Sequence, residues 1–207
     1  MTLRNYINQS LLLEIKNGQV VLCEENAINN TDLREVTIKN LPANTFAFSL
    51  DKPIIFQENA NPRKANNEFL GEAPNIKKRC DAVIVCEEEG VTYILICELK
   101  SISLDAQDYE YQLVNVHIFV DYILNLYQHF TQNPALHTKT EHFLFHKKNL
   151  QTTQEKEFRK HKIVYESVFP EHTQDTMHNF PQYKVATFPF EKTHFNFLKW
   201  EDLRTLF

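Results

Sequence analysis

The sequence predicts an α/β fold: a mixed central β-sheet flanked by helices, with extra strands at the N-terminal end. Three observations predict it. Residues 80–86 and 91–99 are compact apolar runs of strand length, separated by a short charged turn that ends in Gly90. Residues 104–130 carry apolar side chains at helical spacing over about seven turns. Residues 142–145 then return to strand character, and strand, strand, long helix, strand is the order of an α/β unit.

The N-terminal part alternates as strands do, over residues 19–23, 35–38 and 45–50, with a further short strand expected within 53–57. Residues 58–75 are polar and contain Pro62, Gly71 and Pro74, which predicts a loop with a helical turn near 67–70. Gly is scarce, with 3 copies, so asparagine is expected to take some left-handed turn positions, as at Asn29-Asn30 and Asn66-Asn67. The long helix has Ser103 as a cap, and Asp105 and Asp108 at the positive end of its dipole. Its apolar stripe is Leu113, Val116, Val120, Ile123, Leu124 and Tyr127, and Asn133-Pro134 ends it. Beyond it the pattern predicts a strand at 142–145, a polar helix at 151–162, late strands at 162–168 and 184–188, and a short final helix within 196–206.

A chain of 207 residues is long enough for one domain with a substantial core and short for two, so residues 1–207 read as a single domain. The net charge of −5 excludes a protein that coats nucleic acid through overall charge; a local basic rim remains compatible with it. The cysteines Cys23, Cys80, Cys86 and Cys97 form no C-x-x-C pair, which argues against a cysteine zinc site and for buried thiols in a reducing cytoplasm. No run approaches the roughly 20 apolar residues of a membrane helix, and no signal segment is recognisable. A soluble cytoplasmic protein is therefore expected, with no membrane partner.

The chemistry lies in the hairpin. With a loop at residues 87–90, Cys86 pairs with Val91 and Asp81 falls opposite Ile96. Ile96, Glu98 and Lys100 share one face by alternation, and Asp81 joins them across the strands. Two carboxylates can hold Mg²⁺ or Mn²⁺, hard ions that keep several waters. A neighbouring ammonium can orient the attacking water or offset charge in a phosphoryl transition state. The competing reading is a structural ion-pair cluster at a strand end.

At these residues, Arg79-Cys80-Asp81-Ala82-Val83-Ile84-Val85 and Tyr93-Ile94-Leu95-Ile96-Cys97-Glu98-Leu99-Lys100, the sequence resembles the core signature of the PD-(D/E)xK nuclease superfamily. The resemblance covers residues 66–150, with N- and C-terminal elaborations around it, and Cys80 stands where the family has proline. It implies a restriction-endonuclease-like core and a Mg²⁺- or Mn²⁺-dependent nuclease that hydrolyses phosphodiester bonds, DNA ahead of RNA. It implies Asp81 and Glu98 as metal ligands, Lys100 as the residue assisting water or transition state, and Gln112 of the following helix as a site residue. A preceding helix would bring an accessory acid, for which Glu68 and Glu72 are the candidates. Lys77, Lys78 and Arg79 lead into Asp81 and are candidate phosphate contacts, with a solvated edge as the plainer reading. The alternative function is a catalytically silent nucleic-acid-binding or assembly module on the same fold, a setting that extends to prokaryotic defence or mobile elements. The sequence leaves open a homo-oligomer or a partner protein.

Other features read as structure. His142 and His146 lack the H-E-x-x-H spacing of a zinc site. Lys147-Lys148 and Arg159-Lys160-His161-Lys162 read as charged helix faces, and the aromatic residues of 188–197 as core.

Overall fold

Apolar side chains at nearly every position of residues 82–86 and 93–97 require burial on both faces, and the structure supplies it. The computed structural model describes residues 2–23, 33–51, 53–54, 63–64, 76–100, 106–132, 136–147, 164–167, 184–190 and 196–207. Two 3-10 helical turns, Leu3–Tyr6 and Gln9–Leu11, precede β1 (Leu12–Leu13), β2 (Ile15–Lys16), β3 (Gln19–Cys23), β4 (Glu35–Lys39) and β5 (Thr45–Phe48). Then come β6 (Pro53–Ile54), β7 (Arg63–Lys64), β8 (Ala82–Glu88), β9 (Val91–Lys100), α1 (Ala106–Thr131) and β10 (Thr138–Lys147). The chain ends with β11 (Val164–Ser167), β12 (Lys184–Phe190), β13 (Asn196–Lys199) and α2 (Trp200–Arg204).

The central sheet has 7 strands in the order β1-β5-β8-β9-β10-β12-β11. β10 runs parallel to β9 and to β12, while the other pairs are antiparallel, so the sheet is mixed as expected. On one face lies α1. Its Leu113, Val116, Val120 and Leu124 pack with Val83, Val85, Ile94, Ile96 and Leu144, and Tyr127 and Ile123 close the edge of that cluster. On the other face lies a 4-stranded sheet, β13-β4-β3-β2, whose Val20, Leu22, Val36 and Ile38 meet Ile84, Cys86, Leu95, Cys97, Phe143 and Phe145. The result is three layers, helix on sheet on sheet, and the middle layer is dry on both sides.

The hairpin turn differs from the expectation. Glu88 pairs with Val91, so the loop is the two residues Glu89-Gly90 and not four. Both have positive φ, 51° and 79°, the backbone that a two-residue hairpin needs to match strand twist. The pairing moves by two residues, which keeps every side chain on its expected face. Continued past Ala82↔Cys97, it sets Asp81 opposite Glu98 in place of Ile96.

The C-terminal end is also a correction. Residues 196–206 are not one helix: β13 runs parallel to β4 and only then does α2 begin. Asn196 is buried and Phe197 exposed, a period-two pattern, so sheet pairing outweighs the helical reading there. Pro189 sits in β12 beyond its pairing with β11, where the missing N–H is not needed on that side.

Several expectations lie outside the described residues: Asn29-Asn30, Asn66-Asn67, the turn near 67–70, the Ser103 cap with Asp105, Asn133-Pro134, the polar helix at 151–162 with the charged run 159–162, and Lys148. The side chains of Asp108 and Lys147 belong with them.

Candidate active site

Alternation along β9 turns Ile94, Ile96, Glu98 and Lys100 toward α1, and the first two are core residues. The last two bring charge into the same layer at the end of the hairpin away from its turn. The Glu98 side chain is 1% exposed and that of Lys100 21%. A carboxylate so buried needs a compensating charge, and Lys100 Nζ supplies it at 2.7 Å from Glu98 Oε1.

Gln112, on the second turn of α1, holds the lysine from the other side. Its Oε1 accepts from Lys100 Nζ at 2.6 Å, and its Nε2 donates to the Arg79 carbonyl at 2.8 Å. One turn further on, Asn115 Nδ2 donates to the Lys78 carbonyl at 2.9 Å. The helix is thereby bracketed to both strands through the backbone that leads into β8.

Asp81 stands one residue before β8, and its Oδ2 accepts from the Leu99 N–H at 2.6 Å. That bond fixes the carboxylate across the hairpin, beside Glu98. The thiols on either side register both charges. Burial pushes the Cys80 thiol well above its ordinary range, and the Glu98 and then the Asp81 carboxylates push it further. Burial does the same to Cys97, with Asp81 the next cause and Glu98 also contributing. The structure thus joins Glu98, Lys100 and Gln112 by direct bonds and holds Asp81 on the adjoining Leu99 N–H.

The basic run before Asp81 does not form one exposed patch. Arg79 is buried; its Nη1 lies 4.0 Å from Asp51 Oδ1, and burial lowers its pKa while Asp51 opposes the shift. Lys77 and Lys78 are half-buried, and Lys78 Nζ sits 5.7 Å from the centre of the Tyr111 ring. Glu68 and Glu72 lie outside the described residues.

A second polar cluster was not foreseen. His117 of α1 and His142 of β10 stack with ring centroids 5.0 Å apart, and His117 Nδ1 lies 3.0 Å from His142 Nε2. Asp121 Oδ2 is 3.4 Å from the other His117 nitrogen. The i,i+4 spacing of His117 and Asp121 on a predicted helix was the available signal. His142 pairs with Ile96 and His146 with Lys100, so these histidines lie on the strand beside the Glu98–Lys100 pair and on the same face. At the turn end of the hairpin, a cleft of about 420 Å³ between Glu88, Asn40, Trp200 and Arg204 lies away from these groups.

Chemically, two carboxylates beside an ammonium suit a hard divalent ion, which takes one or two protein carboxylates and fills its remaining positions with water or phosphate oxygens. Among the described residues no group of three or more His, Cys, Asp or Glu is placed to hold a metal ion. No helix among them is long and apolar enough to cross a membrane. No family model, curated protein or solved structure matches the chain.

Proposed function

We propose that the chain is a metal-dependent nuclease of the PD-(D/E)xK type, built on a restriction-endonuclease-like core. The observation that carries this reading is the Glu98–Lys100 pair at the open end of the hairpin, steadied by Gln112, with the Asp81 carboxylate bonded to the Leu99 N–H between them in sequence. The donor set fits Mg²⁺ or Mn²⁺, and Asp81 and Glu98 would hold it. When bound, the ion supplies positive charge to polarise a phosphodiester and lowers the pKa of a water molecule.

The chain's own residues then have distinct tasks. The Leu99 N–H keeps the Asp81 carboxylate in place. Lys100 neutralises Glu98 and is the cation available to orient water or offset charge on the phosphoryl oxygens. Gln112 fixes the direction of the lysine, so little reorganisation is required of it. Lys77 and Lys78 offer phosphate contacts close to the site and against the overall negative charge. The substrate is nucleic acid, DNA ahead of RNA, and the setting is cytoplasmic, in keeping with three buried free thiols.

A second reading has one observation in its favour. Glu98 is almost inaccessible and already paired with Lys100, as a structural ion pair in a silent binding or assembly module would be. Incubating the pure chain with single- and double-stranded DNA and RNA, with Mg²⁺, Mn²⁺ or EDTA, separates the two. Cleavage that requires the metal supports the nuclease; intact nucleic acid in every mixture supports the silent module.

A further inference from the structure

The outward side of α1 is unusual for a helix that borders solvent. Leu113, Val116, Val120 and Leu124 face the sheet. On the opposite side, residues 111, 115, 118, 122, 125 and 129 recur at alternating spacings of four and three, the spacing of a helix–helix seam. They are Tyr111, Asn115, Ile118, Tyr122, Asn125 and His129, of which Asn115 is turned to the Lys78 carbonyl and the other five are exposed. Tyr111 is 44% exposed, Ile118 51% and Tyr122 58%, and Phe130 beside the seam is 68% exposed. Among the described residues seven large hydrophobic side chains are exposed, and these four are on this one helix. Residues 106–131 contain no lysine or arginine, whereas a solvated helix face is ordinarily laced with charge. The acid at the flank, Asp121, is held by His117 Nε2 at 3.4 Å.

We propose that this face is a two-fold interface, in which α1 packs antiparallel against α1 of a second copy of the chain. The sequence of the seam indicates the occupant. It is symmetric about Val120: Tyr111 and His129 are equally distant from it, as are Asn115 and Asn125, and Ile118 and Tyr122. Antiparallel pairing therefore sets a phenol ring against an imidazole and Ile118 against Tyr122. Such self-complementarity is what an isologous dimer contact requires. A parallel pair would instead align the two helix dipoles and stack His129 on its own copy, both less favourable.

The area is adequate. At about 200 Å² for a large side chain, the four exposed residues present roughly 440 Å² per copy. Two copies, with Asn125, His129 and Leu126 adding to the face, approach the roughly 1,200 Å² at which stable interfaces begin.

Light scattering on the full chain, over a range of concentrations, reads the mass directly, and twice 24.5 kDa is expected at the upper end. Ile118→Asp with Tyr122→Asp should return a folded monomer, because both positions face outward. Cysteine cross-linking in a Cys23→Ser background tests the direction. The pair Ile118→Cys with Tyr122→Cys should yield a disulfide-linked dimer, and Tyr111→Cys alone should not, since its two copies would lie about 27 Å apart along the helices. A monomer at every concentration overturns the proposal. So does a dimer untouched by the aspartates, or efficient cross-linking through Tyr111→Cys without the 118–122 link.

Discussion

Glu98 and Lys100 are bonded at 2.7 Å, yet they are unequally shielded: the glutamate side chain is 1% exposed and the lysine side chain 21%. The two halves of the pair therefore differ in what they leave behind. Removing the lysine strands a buried negative charge, whereas removing the carboxylate's charge leaves an ammonium that still has Gln112 and some access to water. Lys100→Ala should lower unfolding stability by about 3–5 kcal/mol. Glu98→Gln should cost clearly less, and adding it to Lys100→Ala should recover part of the loss. Urea unfolding of both single variants and the double variant measures this, and equal losses with simple additivity would contradict it.

The helix should show the same contrast between its two sides. Leu113 is 1% exposed beneath the sheet, and Leu113→Ala should cost about 2–5 kcal/mol. Tyr122→Ala, on the outer face, should stay within about 0.5 kcal/mol in the monomer. Thermal unfolding of the two variants in the Ile118→Asp background compares them without any contribution from association.

Acid should weaken the fold through His117. Burial lowers its pKa below 6.5, and the Asp121 carboxylate only partly opposes this. The unfolded chain therefore binds this proton more readily than the folded chain. Its contribution to stability is complete above pH 6.5 and is lost as pH falls from there through the lowered folded value. His142, on the strand facing it, shares the contact. Denaturant midpoints above and below pH 6.5 should fall on the acid side, and less so in His117→Gln.

The thiols should react in two classes. Cys23 is exposed, and Cys80, Cys86 and Cys97 are buried, with burial lifting Cys86 to about 12. A thiol reagent near neutral pH should label Cys23 alone in the folded chain and the other three only in denaturant. Prompt labelling of Cys97 under native conditions would show that the middle sheet is open where it is described as dry.

Much of the hairpin and helix was legible because local pattern and tertiary role agree there. Residues 82–86 and 93–97 are apolar on both faces, and the second run ends in two charged positions, so face assignment survived an error in loop length. The turn itself was misjudged because Glu89 takes positive φ with a side chain that gives no sign of it. Asn17-Gly18, also at positive φ, is the hairpin signal the sequence displays openly between β2 and β3. Residues 196–199 were misread because their strand character depends on β4, more than 150 residues away. In the site, strand alternation placed Glu98 and Lys100 on one face, as the structure has them, while Gln112 entered only through the family resemblance. The burial of Arg79 was not legible, because it depends on Asp51 and the packing around it. His117 and His142 meet only when α1 is laid on β10, which no spacing in the chain reveals.

The most direct measurement of the nuclease claim is metal-dependent cleavage by the parent chain and by Asp81→Asn, with folding monitored alongside. Asparagine keeps an oxygen for the Leu99 N–H, so the fold should persist with nearly the parental melting temperature. The variant loses the charge that a divalent ion needs. The parent should cleave nucleic acid with Mg²⁺ or Mn²⁺ and stop on addition of EDTA, and folded Asp81→Asn should cleave little or not at all. Cleavage by Asp81→Asn at the parental rate, or no metal-dependent cleavage by the parent on any DNA or RNA, would contradict the claim.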